Sequence, residues 1–223
     1  MLPLQLANPG DRPLRVLCLG AHCDDIEIGC GGTLRTLIEG SRAGGRAVDF
    51  RWTVFSSNPE REAEAQAGAK AFLEGAHEST VVVHGFRESF FPSQWEDIKK
   101  TMGGIRSEFE PDVVFTHRGP DKHQDHRVIS ELSWNAFRDH LILEYEIPKF
   151  DADLAQPNVL VPLEPEIVDF KIETIARVFE TQRDKTWFDA DTFRGLMRLR
   201  GVELNSPSRF AEGFHARKLP LSF

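Results

Sequence analysis

Short apolar runs alternate along the chain with longer stretches in which apolar residues recur every three or four positions. Residues 15–19 (RVLCL), 48–55, 80–83 and 113–116 are brief and rich in β-branched or aromatic residues, and they read as buried strands. Between them, residues 25–40, 59–73, 94–109 and 126–139 carry helical spacing. In the first helix Ile28, Leu34, Leu37 and Ile38 share one face, and in the last Ile129, Leu132, Ala136 and Phe137 do. Strand and helix in strict alternation predict an α/β domain, a mostly parallel sheet with helices on both faces. Such sheets bind ligands beyond the carboxyl ends of their strands.

The texture changes after Leu141. Residues 142–147 and 158–163 read as strands, with prolines at 148, 157, 162 and 165, and residues 166–180 and 191–200 read as helices. The expectation is one domain over residues 1–223, with roughly residues 144–223 as an extension that shapes a cleft.

Composition narrows the function classes. At 223 residues the chain can bury a sizeable core, and 40% hydrophobic with 28% charged residues is ordinary for a soluble globular protein. A net charge of −8 argues against a nucleic-acid partner. The first 16 residues lack a basic start followed by an apolar run, and no stretch is long enough to span a membrane, so the expected location is the cytoplasm. Cys18, Cys23 and Cys30 are odd in number and read as reduced thiols.

Two polar clusters fall at the predicted ligand edge. The first, Ala21-His22-Cys23-Asp24-Asp25, follows the first strand. Glycines at 20, 29, 31 and 32 have the wrong spacing for a dinucleotide loop, and two adjacent carboxylates repel a phosphate, so a cation fits better. Either Asp alone could be a helix cap, but one cap explains neither the second carboxylate nor the histidine. The second cluster, Asp121-Lys122-His123-Gln124-Asp125-His126, follows the fourth strand. His123 and His126 stand three apart at a helix start, and Asp125 is placed to orient an imidazole. Together the clusters hold two histidines and a carboxylate for a metal, with a carboxylate and a histidine to spare as base and acid. Asp121 reads equally as a turn residue, and His117 as a hydrogen-bonded loop histidine beside the site.

AHCDD at 21–25 and HQDH at 123–126 resemble the paired motifs AHPDD and His-x-Asp-His of the PIG-L/LmbE family of zinc-dependent deacetylases. The stretches EIGCGGTL (27–34), REAEAQAGAKAFL (61–73), EYEIPKF (144–150) and TWFDADTFRGLMRLRG (186–201) extend the resemblance over most of the chain. It implies a Rossmann-like fold and removal of an N-acetyl group from a sugar-containing, N-acetylglucosamine-type substrate. It implies His22, Asp25 and His126 as zinc ligands, Asp24 as general base, His123 as oxyanion stabiliser or acid, Asp125 as partner of a histidine, and Arg61 as a substrate contact. The same ligand set also suits Fe2+ and other divalent ions. The family's proline is Cys23 here, read as a spectator thiol. The same hydrolysis of another amide, ester or carbamate, and a non-catalytic binding role, remain as alternatives. The expected partner is a small acetylated sugar conjugate, and homo-oligomers are left open.

Overall fold

The computed structural model describes residues 3, 5–6 and 12–220. Half of the 16-residue N-terminal segment read for a targeting signal lies outside them. Five strands enter in register as the sequence pattern predicts: β1 (Leu14–Gly20), β2 (Val48–Ser56), β3 (Glu78–Phe86), β4 (Val113–His117) and β5 (Leu141–Tyr145). All pair in parallel. Between and after them run α1 (Asp25–Arg42), α2 (Pro59–Phe72), α3 (Trp95–Glu108) and α4 (Gln124–Ala136). The extension adds β6 (Val159–Leu163), α5 (Pro165–Val178), α6 (Ala190–Leu204) and β7 (Phe210–His215). β7 is antiparallel to both β5 and β6, so the seven-stranded sheet has the order β3-β2-β1-β4-β5-β7-β6.

Strand alternation divides the core. Val16 and Cys18 of β1 face one way, with Trp52, Phe115 and the apolar sides of α1, α2, α5 and α6. Leu17 and Leu19 face the other way, with Phe55, Val114 and the apolar sides of α3 and α4. Burying each such Leu or Phe contributes about 1.5–3 kcal/mol, which is why the register is fixed. No helix among the described residues is long and apolar enough to cross a membrane.

β7 is a strand that the pattern reading of the chain passes over. Its sequence FAEGFH has a buried Glu212 and Gly213 where an apolar residue would signal a strand. Glu212 is used internally. It accepts hydrogen bonds from the Gly32 and Thr33 amides of α1 at 2.8 and 2.7 Å and pairs with Lys171 Nζ of α5 at 2.7 Å. A second buried pair, Glu146 with Arg200, ties the chain after β5 to α6 at 2.6 Å. Lone buried charges would be costly, and paired ones fix how the extension sits.

β1 and β4 are neighbours at the centre of the sheet, so the loops at their carboxyl ends meet. One loop leads into the N-terminus of α1 and the other into that of α4, which brings the two polar clusters together.

Candidate metal and catalytic site

Four imidazoles and four carboxylates meet at this edge. His22 Nδ1 lies 3.1 Å from His126 Nε2 and 3.3 Å from Asp25 Oδ2, and His126 Nε2 lies 3.4 Å from Asp25 Oδ1. All three side chains are buried. Their outer atoms define their protonation. His126 Nδ1 donates to Asp121 Oδ2 at 3.0 Å, and His22 Nε2 donates to Asp125 Oδ2 at 3.2 Å. Whenever both rings are neutral, their inner nitrogens therefore carry lone pairs. Two lone pairs and a carboxylate facing one another at such distances repel unless a positive charge stands between them.

The charge balance agrees. Burial opposes charge on His22, yet Asp25 and Asp125 carry its pKa up to about 10. Burial pushes the Asp25 carboxyl up, but His126, His117 and His22 hold it well below the usual range. The pocket thus favours a cation beside an ionised Asp25. A divalent ion on two imidazoles and a carboxylate satisfies the same demand with no buried proton, and this donor set suits zinc and other divalent ions.

Overlapping donor groups surround the triangle: His22 with His123 and His126, and Asp25 with His117 and His126, each within 4.8 Å. Hydrogen bonding sorts them. His123 caps α4, its Nδ1 accepting the Asp125 amide at 3.2 Å, so the neutral ring keeps its proton on Nε2 as a donor. Burial, then His126 and His22, lower the His123 pKa to about 4. His117 Nε2 accepts the Ala21 amide at 2.9 Å and stands 3.2 Å from Asp25 Oδ2. Its ring is fully buried and stacks on His126 with centroids 3.9 Å apart. Sequence reading placed His117 in a loop. It is the last residue of β4 and touches the centre itself. Its place at the carboxyl end of a central strand was the available signal.

The paired aspartates diverge. Asp24 occupies the N-cap position of α1 but caps nothing, while Asp25 Oδ2 accepts the His22 amide at 2.6 Å. Asp24 Oδ1 instead meets Arg61 Nη2 at 3.1 Å, and Arg61 Nη1 meets Glu88 at 2.8 Å. Burial raises the Asp24 pKa; Arg61 pulls the other way without cancelling it, and Asp25 adds to the rise. Adjacent carboxyls are thus pushed apart, one firmly ionised and one poised to take a proton.

Outer contacts hold the cluster. Asp125 accepts the Ser89 and Phe91 amides at 2.6 and 3.1 Å, pinning the loop after β3 against His22. Ser89 takes a left-handed φ of 68° to do so. Cys23, where the resembling motif has proline, is a buried thiol whose Sγ donates to Ser56 O at 3.3 Å. Burial pushes it up to about 12, which leaves it protonated and inert. The three cysteines are free.

A doubly wound α/β sheet whose switch edge carries a buried His/Asp centre defines a hydrolytic class more than a nucleotide-binding one. The chain belongs to the GlcNAc-PI de-N-acetylase (PIG-L) family, which matches residues 17–137. The Escherichia coli (strain K12) protein named uncharacterized deacetylase YaiS is 28% identical over 159 residues, covering 66% of this chain and 82% of its own. Among solved structures, the 4-carboxy-2-hydroxymuconate hydratase GalB of Pseudomonas putida KT2440 superposes with a TM-score of 0.70 at 14% identity, over 94% of this chain and 98% of its own. The A40926 pseudoaglycone deacetylase Dbv21 gives 0.65 at 14% identity, over 93% and 99%. At that identity these two show the fold alone. GalB also means that the fold by itself does not fix the reaction.

Proposed function

We propose that this protein is a zinc-dependent N-deacetylase acting in the cytoplasm on a small sugar-containing, N-acetylglucosamine-type conjugate. The observation that carries the reading is the convergence of His22 Nδ1, His126 Nε2 and the ionised Asp25 carboxylate within 3.1–3.4 Å. These three would hold the metal. When bound, a zinc ion supplies Lewis acidity to the attacking water and the acyl oxygen.

The remaining work falls to the chain's own groups. Asp24, with its raised pKa, accepts the proton of the attacking water. His123, neutral and holding its proton on Nε2, donates a hydrogen bond to the acyl oxygen as negative charge develops there. Asp24, once protonated, returns that proton to the departing amine. Asp125 and Asp121 keep the proton of each histidine on its outer nitrogen. Arg61 sits on Asp24 beside the half-exposed Glu88, where a substrate hydroxyl would exchange into the pair. The sugar conjugate is supported by the family match, and the three free buried thiols support a reducing compartment.

Asp24→Asn separates binding from chemistry. Purified protein should keep its zinc, and acetate release from a panel of N-acetylated sugars and plain acetamides should fall about 10²–10⁴-fold. Unimpaired turnover in that variant removes Asp24 from the mechanism, and acetate release from acetamides alone removes the sugar.

A further inference from the structure

The stretch at residues 144–150 reaches the site by its single basic residue. Lys149 Nζ lies 3.1 Å from Asp121 Oδ2 and 2.8 and 2.7 Å from the two carboxylate oxygens of Asp153. Its side chain is largely buried. The same Asp121 Oδ2 accepts the His126 Nδ1 proton, while Asp121 Oδ1 accepts the His123 amide at 2.7 Å. Asp153 accepts the Lys122 amide at 2.7 Å, and its carbonyl accepts Arg118 Nη1 at 2.6 Å. Two carboxylates from different segments therefore grip one loop, at adjacent amides, with a single ammonium group between them.

We propose that Lys149 is a positioning residue for the metal centre, acting through Asp121 to fix the His126 ring. Without the ammonium, Asp121 and Asp153 face each other as like charges across a low-dielectric contact and must separate. Asp121 is the one that cannot move without turning His126. The C-terminal extension thereby sets how tightly the centre holds a divalent ion, beyond what the two motif loops do alone. The inference rests on His22, Asp25 and His126 being the ligands.

The test uses the full chain, stripped of metal. Zinc affinity is measured by competition with a chromophoric chelator, and the visible spectrum of the Co2+-loaded protein reports ligand geometry. Lys149→Met should bind zinc about 10–100-fold more weakly, the usual cost of losing an outer-shell partner, and should alter the cobalt bands. The thermal midpoint of the metal-free protein should fall, because two buried carboxylates lose their counter-charge, so affinity and bands are read at a temperature where both proteins are folded, and Lys149→Arg should restore most of the affinity and the bands. If Lys149→Met does not fold, Lys149→Gln, which keeps a polar head and no charge, carries the same expectation. A folded neutral variant with zinc affinity within about twofold of wild type and unchanged bands overturns the proposal. His126→Ala is the control for the ligand reading: if it binds zinc as tightly as wild type, the ligand set is wrong, whatever Lys149 does.

Discussion

Removing the guanidinium of Arg61 tests how Asp24 is tuned. Arg61 and Asp24 are both buried, with Nη2 3.1 Å from Oδ1. With the charges centred about 4 Å apart and an effective dielectric near 20, their attraction favours the ionised carboxylate by about 4 kcal/mol. Water entering the space left by Arg61→Met screens part of this, and the Asp24 pKa rises further. The sign follows from Asp24 acting as base. Activity needs the carboxylate and is lost as pH falls through its pKa. A raised pKa moves that loss to higher pH. The acid limb of log kcat/KM against pH should therefore move to higher pH, with most activity recovered on the plateau above it. Because the comparison is between variant and wild type, any bound ion acts on both alike. An acid limb that stays put while KM rises at every pH would show that Arg61 serves the substrate and leaves Asp24 alone.

Two further substitutions probe the support of the site. A Cβ on Gly29 would stand 2.3–2.9 Å from three atoms of the Tyr145 ring, whose hydroxyl is held by Leu19 O at 2.7 Å. Gly29→Ala should lower stability by about 1–3 kcal/mol in urea titrations despite its better helix propensity, and a variant as stable as wild type refutes the crowding argument. Glu27 is fully buried, its carboxylate oxygens find no hydrogen-bond partner among the described residues, and burial raises its pKa well above the ordinary value. A raised carboxyl contributes stability that is complete below its unfolded pKa and is lost as pH rises toward the folded one. Metal-free wild type should thus lose stability through this group as pH rises above the ordinary glutamate range. Glu27→Gln should lose that slope, and parallel stability curves for the two proteins contradict it.

Much of this site was legible because its parts are local. Strand one ends at Gly20, one residue passes, and His22 appears; His126 stands in the first turn of α4, the helix that follows β4. Adjacency of β1 and β4 then follows from the handedness of parallel crossovers. What could not be read was everything that depends on a third segment. His117 looks like any strand-end histidine until Asp25 is seen 3.2 Å away. Arg61 was expected against substrate, and only the fold shows it on Asp24. β7 escaped because its buried Glu212 breaks the apolar signal, and its partner Lys171 lies 41 residues away. In each case a polar residue is buried through a long-range partner, which no periodicity encodes.

The arrangement also carries a cost that helps explain its outer shell. Asp24, Asp25, Asp121 and Asp125 are all buried within one cluster, beside four imidazoles. The amino ends of α1 and α4 favour the carboxylates and disfavour any cation there. Asp25 and Asp125 must then stay ionised through contacts from several directions, which is what the His22 amide on Asp25 and the Ser89 and Phe91 amides on Asp125 supply. Replacing Asp125 by Asn would leave those amides an acceptor yet remove the charge that keeps the His22 proton outward, so geometry could survive while the inner lone pair is lost. A polar cluster of this kind weakens the fold wherever it is half satisfied. Its persistence at the sheet edge is therefore best accounted for by the positive charge it is built to receive.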